Sequence, residues 1–427
     1  MRAAGHVDSC QFSSGKHQDN REENVAMKGQ TYIERISPST ENVQVASGLL
    51  CGKAYNHWDA LPGQVRNIFE CAGKQSVFLS RAWFENLSQT ALSPEQEVRF
   101  FSVEDSSGKN APLLLLPTHT KRNTLFRPRT LSSLTNFYTP LFAPLISSDC
   151  ESQSVFQVLA MTIAADCPRW DIVNLRWLDK DSVNFGRLRQ AFKAAGFVVQ
   201  TYFCAGNWYE PIHERNYEDY MQGLRSAVRN IARSKVKKIE RSGRARIELI
   251  SGGEALSSAI GDYEQIYGSS WKTDEPYPRF MPGLLRAFAA AGWLRLAIAY
   301  VDEEPAAAQV WFVANRIASI YKMAYNPKFK DLSVGSYLTM YMIRHSIDLE
   351  NVTEIDYLTG DDNYKRDWMS HRRERWGILA MNPNTPRGLA AIARHVGGRA
   401  VKRVVQRILR DLRRPETHCV SPTMVSA

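Results

Sequence analysis

Residues 354–377 read EIDYLTGDDNYKRDWMSHRRERWG. From Glu354 to Leu358 polar and apolar residues alternate, the pattern of a half-buried strand. The strand runs into a glycine-bearing, acid-rich loop, Gly360, Asp361 and Asp362, and then a Tyr-Lys pair at 364 and 365. Working upstream, apolar periodicity predicts a helix over 336–350, preceded by the loop NPKFKDLSVG at 326–335. Three strands come before it, at 294–301, 306–313 and 318–324, separated by the turns DEEP and NR. Backbone N–H groups at the start of a helix are unpaired and carry partial positive charge, so a helix that opens beside Gly335 suits a pyrophosphate. A glycine before a helix is equally the mark of an ordinary cap.

Further upstream the chain predicts a helix at 284–291, a proline-rich loop TDEPYPRFMP at 273–282, a helix near 254–270, a strand at 245–250 and a basic helix ending near Ser242. In the first half, helices over 59–72, 78–91, 154–165 and 183–195 alternate with strands at 98–104, 111–118, 171–177 and 197–203, with Gly108 in the hairpin turn. The fold class is therefore α/β or α+β. Four segments are expected: a disordered leader over 1–48, an N-terminal domain over 49–207, a catalytic domain over 208–385, and a basic amphipathic helix and tail over 386–427.

Charge needs to be located before it is interpreted. The chain has 427 residues and a formal charge of +10. Between Arg225 and Arg246 nine basic residues face one acid, and between Pro386 and Arg414 nine again face one. These two segments carry +8 each, so the remainder sums to −6. Both have an apolar stripe: Leu224, Val228, Ile231, Ala232, Val236 and Ile239 in the first, and Val401, Val404, Val405, Ile408 and Leu412 in the second. Their basic faces read as contacts to phosphates or an anionic membrane surface, or simply as solvated faces over a buried stripe.

Several classes are excluded or disfavoured. With 11% aromatic residues and ten Trp the chain can build real cores. Its seven Cys are scattered, odd in number and without a CxxC pair, which favours reduced thiols in a cytoplasmic compartment. No run reaches the roughly 18 apolar residues of a spanning helix, and the first 45 residues lack a signal-peptide core. There is no GxSxG, P-loop, HExxH or GxGxxG. His371 and His395 have no Cys or carboxylate at ligand spacing, so no metal is expected.

Together with GNWYEPI (206–212), SSWKTDEPYP (269–278), AAAQVW (306–311), SIYKMAYNP (319–327) and LSVGSYLTMYMIRH (332–345), the run at 354–377 resembles the GNAT N-acyltransferase superfamily. More narrowly it resembles the CelD-like, exopolysaccharide-associated acetyltransferases, distantly related to the Fem peptidyl transferases, from about Tyr55 to Arg414. The resemblance implies tandem GNAT-like domains, each a mixed, mostly antiparallel sheet flanked by helices, with the working site in the second. It implies acetyl-CoA or another acyl-CoA as donor and a small-molecule or glycan-precursor amine as acceptor.

The family's pyrophosphate motif falls on Lys330, Ser333 and Gly335, where only Gly335 matches. Lys330 and Ser333 stand for other residues, and Val334 occupies a position usually held by Pro. The binding run is thus Lys330, Ser333, Val334, Gly335 and Ser336, with an aminoacyl-tRNA donor, as in Fem-type enzymes, left open. The recurring acid and Tyr-Lys pair correspond to Asp356, Tyr364 and Lys365 as catalytic candidates. The same three also read as a loop anchored by an Asp356–Lys365 ion pair. Trp271, Lys272 and Tyr277 read as walls of an acceptor pocket, or as core aromatics beside a solvated lysine. Gln309 reads as facing the acyl group from the strand that splays in GNAT folds, or as a surface residue. A non-catalytic polyanion- or membrane-binding protein is a third reading. The basic C-terminal helix would then make peripheral contact with the inner membrane face.

Overall fold

Pairs of alternating strands joined by tight turns build an antiparallel ladder, and the helices between them cover its faces. The computed structural model describes residues 32–34, 44–47, 49–105, 112–121, 127–147, 152–270, 272 and 275–397. Its fifteen strands form one continuous mixed sheet, mostly antiparallel and flanked by helices. In spatial order the first half contributes Tyr32–Glu34, Gln44–Ser47, Leu50–Tyr55, Gln96–Asp105, Pro112–Lys121, Thr130–Ser133 and Ile172–Asp179, with Leu145–Ile146 beside Pro112–Lys121. The sheet continues with His371–Met381, Val198–Pro211, Glu354–Thr359, Ile317–Tyr325, Glu304–Ala314, Leu294–Val301 and Ala245–Ile250. Tyr32–Glu34 and Gln44–Ser47, within the stretch read as a disordered leader, are thus ladder strands at the sheet edge.

The chain's last strand returns to the middle. His371–Met381 pairs antiparallel with Ile172–Asp179 on one side and with Val198–Pro211 on the other. Reading the sequence forward misses it, because its first five residues, HRRER, conceal the alternation. Val198–Pro211 is one strand of 14 residues, running straight through the boundary expected between 207 and 208.

Most helices lie where periodicity places them. Gln153–Ala165, Val183–Ala194 and Leu256–Ser269 agree with the expected spans to within a few residues. The helix expected over 336–350 is Val334–Arg344 followed by a wider π-type turn at His345–Leu349. The basic helix runs as Ser226–Ile231, a π-type turn Ala232–Val236, and Lys237–Ser242, and ends at Gly243 in the left-handed conformation. Val228, Val236 and Ile239 of its stripe are buried against the sheet beside Leu338 and Trp311. The two halves share a core. Trp83 meets Phe280 edge-on at 5.8 Å, Phe78 meets Phe312 at 6.2 Å, and Asn86 Nδ2 donates to Phe280 O at 3.1 Å. No helix among the described residues is long and apolar enough to cross a membrane.

Candidate active site

Each half contains one pair of parallel strands, and both pairs part after a short start. In the first half Thr130–Ser133 pairs with Ile172–Asp179 through three registers, Thr130 with Ile172 to Ser132 with Asn174. In the second, Ile317–Tyr325 pairs with Glu354–Thr359 through three, Ile317 with Glu354 to Ser319 with Asp356. Beyond that point strand N–H and C=O groups lose their ladder partners and must find others. The first gap is bridged by Phe142, whose N–H donates to Trp177 O at 2.9 Å and whose side chain is buried. The second gap holds a cavity of about 550 Å³.

Ile320 to Tyr325 line one side of that cavity and Tyr357 to Thr359 the other. Gly335, Ser336 and Thr339 bound it from helix Val334–Arg344, and Ala227, Val228 and Ile231 from the first turn of the basic helix. Tyr364, Lys365 and Trp368 close one end. Phe137, Tyr138 and Pro140 of the first half close another. The parting is sharpened by Leu358, a left-handed residue (φ 54°) at a register shift against Val198–Pro211.

The helix start presents free backbone donors. Ser333, itself left-handed (φ 53°), caps helix Val334–Arg344 without a side-chain hydrogen bond. The first N–H groups therefore have no partner within the helix and point out of its end. Gly335 and Ser336 line the cavity, while Val334 is in the core and Lys330 lies exposed on the preceding 3-10 turn. A Cβ on Gly335 would meet only Tyr325, at 3.6 Å, so there is open space over this turn.

The three catalytic candidates separate. Tyr364 and Lys365 line the cavity; Asp356 lies on the opposite face of its strand. One Asp356 oxygen accepts from Asn207 Nδ2 at 2.5 Å and Leu358 N at 2.7 Å, and the other from Arg373 at 2.5 Å. With one residue per face along a strand, Tyr357 pointing into the cavity puts Asp356 behind it. The Asp356–Lys365 ion pair of the alternative reading is not formed. Lys365 instead donates to Tyr357 O at 3.1 Å and Thr359 O at 2.6 Å, with Asp362 at 3.8 Å. Burial lowers the Lys365 pKa, opposed by Asp362. Tyr364 is exposed at the rim, its ring edge-on to Tyr357 at 5.8 Å. Desolvation and then the Asp362 charge push its hydroxyl up to about 12, so near neutral pH it is a proton donor and not a base.

On the acceptor side, Lys272 lines the cavity and its Nζ donates to Met323 O. Tyr277 stands behind, its ring nearly parallel to Phe137 at 6.3 Å. Trp271 lies outside the described residues. Gln309 is buried, and its own strand does not border the gap: its Nε2 donates to Thr339 Oγ1 at 2.7 Å and Gly335 O at 3.2 Å, and its Oε1 accepts from Trp311 at 2.8 Å. It lines the cavity and positions the helix start, with both its amide hydrogens already engaged. Sequence reading missed Phe137, Tyr138, Lys322 and Glu275. Lys322 pairs with Glu275 at 2.8 Å, and Glu275 also accepts from the Tyr138 hydroxyl. Burial of Glu275 opposes ionisation, but the Lys322 and Tyr138 bonds outweigh it and lower the pKa, which makes it a poor base. Among the described residues no group of three or more His, Cys, Asp or Glu is placed to hold a metal ion.

Residues 226–366 match the family model of the acetyltransferase (GNAT) domain. That span covers the basic helix, the parting strands, the helix start and the Tyr364–Lys365 pair, so the second half carries a GNAT-type acyltransferase domain. No curated protein matches the sequence. Among solved structures, the crystal structure of FemX is similar at a TM-score of 0.54 and 10% identity, over 78% of this chain and 98% of that one. A conserved protein of unknown function from Bacteroides thetaiotaomicron is similar at 0.49 and 9%, over 75% and 98%. A tandem GNAT protein from the clavulanic acid biosynthesis pathway is similar at 0.46 and 9%, over 78% and 100%. At such identities the FemX likeness concerns the fold.

Proposed function

We propose that this protein is an acyl-CoA-dependent N-acyltransferase. It moves an acetyl or longer acyl group to an amine, on a sugar nucleotide or polysaccharide precursor as in the CelD-like branch, in the cytoplasm or at the inner membrane face. One observation carries the reading: the cavity opens where two parallel strands part, beside a helix start whose N–H groups no side chain caps. Those N–H groups, at Val334, Gly335 and Ser336, fit a pyrophosphate. Strand groups that lose their ladder partners beyond Ser319 and Asp356, apart from the carbonyls held by Lys272 and Lys365, fit the amides of an extended donor arm.

The thioester supplies an activated acyl carbon; the protein supplies alignment and protons. Attack requires an uncharged amine, and the leaving sulfur must be protonated. Tyr364, held protonated, is the donor for the departing thiolate. Lys365 ties the loop after Glu354–Thr359 to that strand and so fixes Tyr364 at the rim. The wall of Phe137 and Tyr138, backed by Tyr277, contacts the acceptor. Calorimetric titration with acetyl-CoA and longer acyl-CoAs should give micromolar binding by at least one of them. A folded protein that binds none overturns the proposal.

A second reading has one supporting observation. Arg233, Lys235, Lys237, Lys238 and Arg241 are exposed on a helix whose first turn lines the cavity, and none has an ion-pair partner among the described residues. A tRNA backbone could follow such a face, which would make the donor an aminoacyl-tRNA. Filter binding across salt concentrations decides: tRNA affinity that falls steeply with salt favours it, and flat, negligible binding rejects it. The proposed membrane contact through 386–414 falls largely outside the described residues, which end at 397; liposome flotation of the whole chain against one ending at Thr385 tests it.

A further inference from the structure

We propose that Lys272 is a self-acylation site: given an acyl donor, its amine takes the acyl group and closes the acceptor end of the cavity. The inference rests on the acyl-donor reading above. Lys272 reaches into the cavity from the loop after helix Leu256–Ser269, and its Nζ donates to Met323 O on one of the two strands whose parting makes the gap. A lysine turned inward normally has a carboxylate partner. Among the described residues Lys272 has none. Glu275, the acid of its own loop, is already occupied by Lys322 and the Tyr138 hydroxyl.

Two cations and two carboxylates face Lys272, and burial outweighs them all. Lys322 projects from Ile317–Tyr325 and Lys365 from the short helix Lys365–Trp368; Glu275 and Asp362 oppose them, and the Tyr267 ring lies 5.5 Å from Nζ. Burial first, then Lys322, brings the amine down to about 8. At neutral pH its uncharged, nucleophilic fraction exceeds that of an exposed lysine by about 10²-fold. Lys365 lines the same cavity and is the internal contrast. Burial lowers its pKa as well, but its Nζ is tied to two carbonyls with Asp362 at 3.8 Å, where Lys272 has one carbonyl and no carboxylate at ion-pair distance among the described residues.

The chemistry balances without another reagent. Uncharged Nζ attacks the thioester carbonyl carbon, the N–C bond forms and the C–S bond breaks with its electron pair on sulfur. The proton shed by nitrogen reaches sulfur through Tyr364 or water, giving N-acyl-lysine and free thiol. The product loses the lysine charge and carries its acyl group between Met323 and the wall of Phe137 and Tyr138, where the acceptor has to enter.

The full-length protein, incubated at pH 7 and pH 9 with acetyl-CoA or, separately, p-nitrophenyl acetate, is followed by intact mass and peptide mapping, alongside acetyl-CoA calorimetry. One acetyl group on Lys272 is expected, forming about 10²-fold faster at pH 7 than on exposed Lys235, Lys237 or Lys238, and absent in Lys272→Arg. If acetyl-CoA binds and Lys272 is not acylated by it, or reacts no faster than those surface lysines, the inference is overturned. Should acetyl-CoA fail to bind while p-nitrophenyl acetate still selects Lys272, the donor reading fails and the amine's reactivity stands.

Discussion

Tyr364 and His119 show how single side chains set the pH behaviour of this molecule. With its hydroxyl raised to about 12, Tyr364 holds its proton through the working range, and on the proposed mechanism it passes that proton to the leaving sulfur as the C–S bond breaks. Tyr364→Phe should lower kcat by about 10²-fold, the scale of one positioned proton donor, leaving KM for the donor and the melting temperature unchanged in steady-state and thermal assays. His119 acts on stability instead. It is buried, Gln96 Nε2 donates to its Nδ1 at 3.1 Å, and burial followed by the Lys121 charge depresses it to about 4. Between about pH 4 and 6.5 the unfolded chain binds a proton that the folded one does not, so stability rises with pH across that window. His119→Gln should remove about 3 kcal/mol of the difference between pH 7 and pH 4 in urea unfolding. Lys365 changes meaning at this scale as well. Removing its amine leaves Tyr357 O and Thr359 O without their donor, so Lys365→Met should cost about 1–3 kcal/mol of stability, measured by the same unfolding, besides any loss of turnover.

Among the elements, the loop after Glu354–Thr359 is the one whose geometry the site cannot spare. Gly360 has φ +121°, and a Cβ there would lie 2.9 Å from Lys365 Nζ and 3.0 Å from Asp362. Gly360→Ala should therefore cost about 1–3 kcal/mol through backbone strain, displace Lys365, and depress turnover more than Lys365→Met does; denaturation and kinetics on the two variants compare them. The helix start is read differently. On the proposed donor reading its working groups are backbone N–H, which would account for a site that departs from the expected motif at Lys330, Ser333 and Val334 while keeping an uncapped turn. Periodicity located the helix because Leu338, Met342 and Ile343 form a stripe; the left-handed Ser333 that aims it has no signature in residue type.

At the scale of the whole molecule, the return of His371–Met381 binds the two halves into one sheet. Its Arg373 spans three strands, reaching Glu354 at 2.6 Å, Asp356 at 2.5 Å and Asn207 at 3.1 Å. Arg373→Met leaves two carboxylates unpaired in a largely buried place, and a loss of about 3–5 kcal/mol is expected in chemical unfolding. A single transition reported by Trp fluorescence from both halves would accompany it, since they share the Trp83–Phe280 contact.

Alternation and 3.6-residue periodicity in the sequence by itself determined the mixed fold class and the long helices of the second half, because those signals are local and survive without tertiary context, while the family resemblance singled out the Tyr364–Lys365 pair. Only the tertiary structure decided which parallel pair stays open. Phe142 bridges the first gap and no described residue does the same at the second, and that choice depends on contacts between residues 35 positions apart. It also decided that Asp356 belongs behind the site and that Phe137 and Tyr138 belong at its mouth. A strand's two faces are interchangeable to a sequence reader until the partner strand fixes which one meets the cavity.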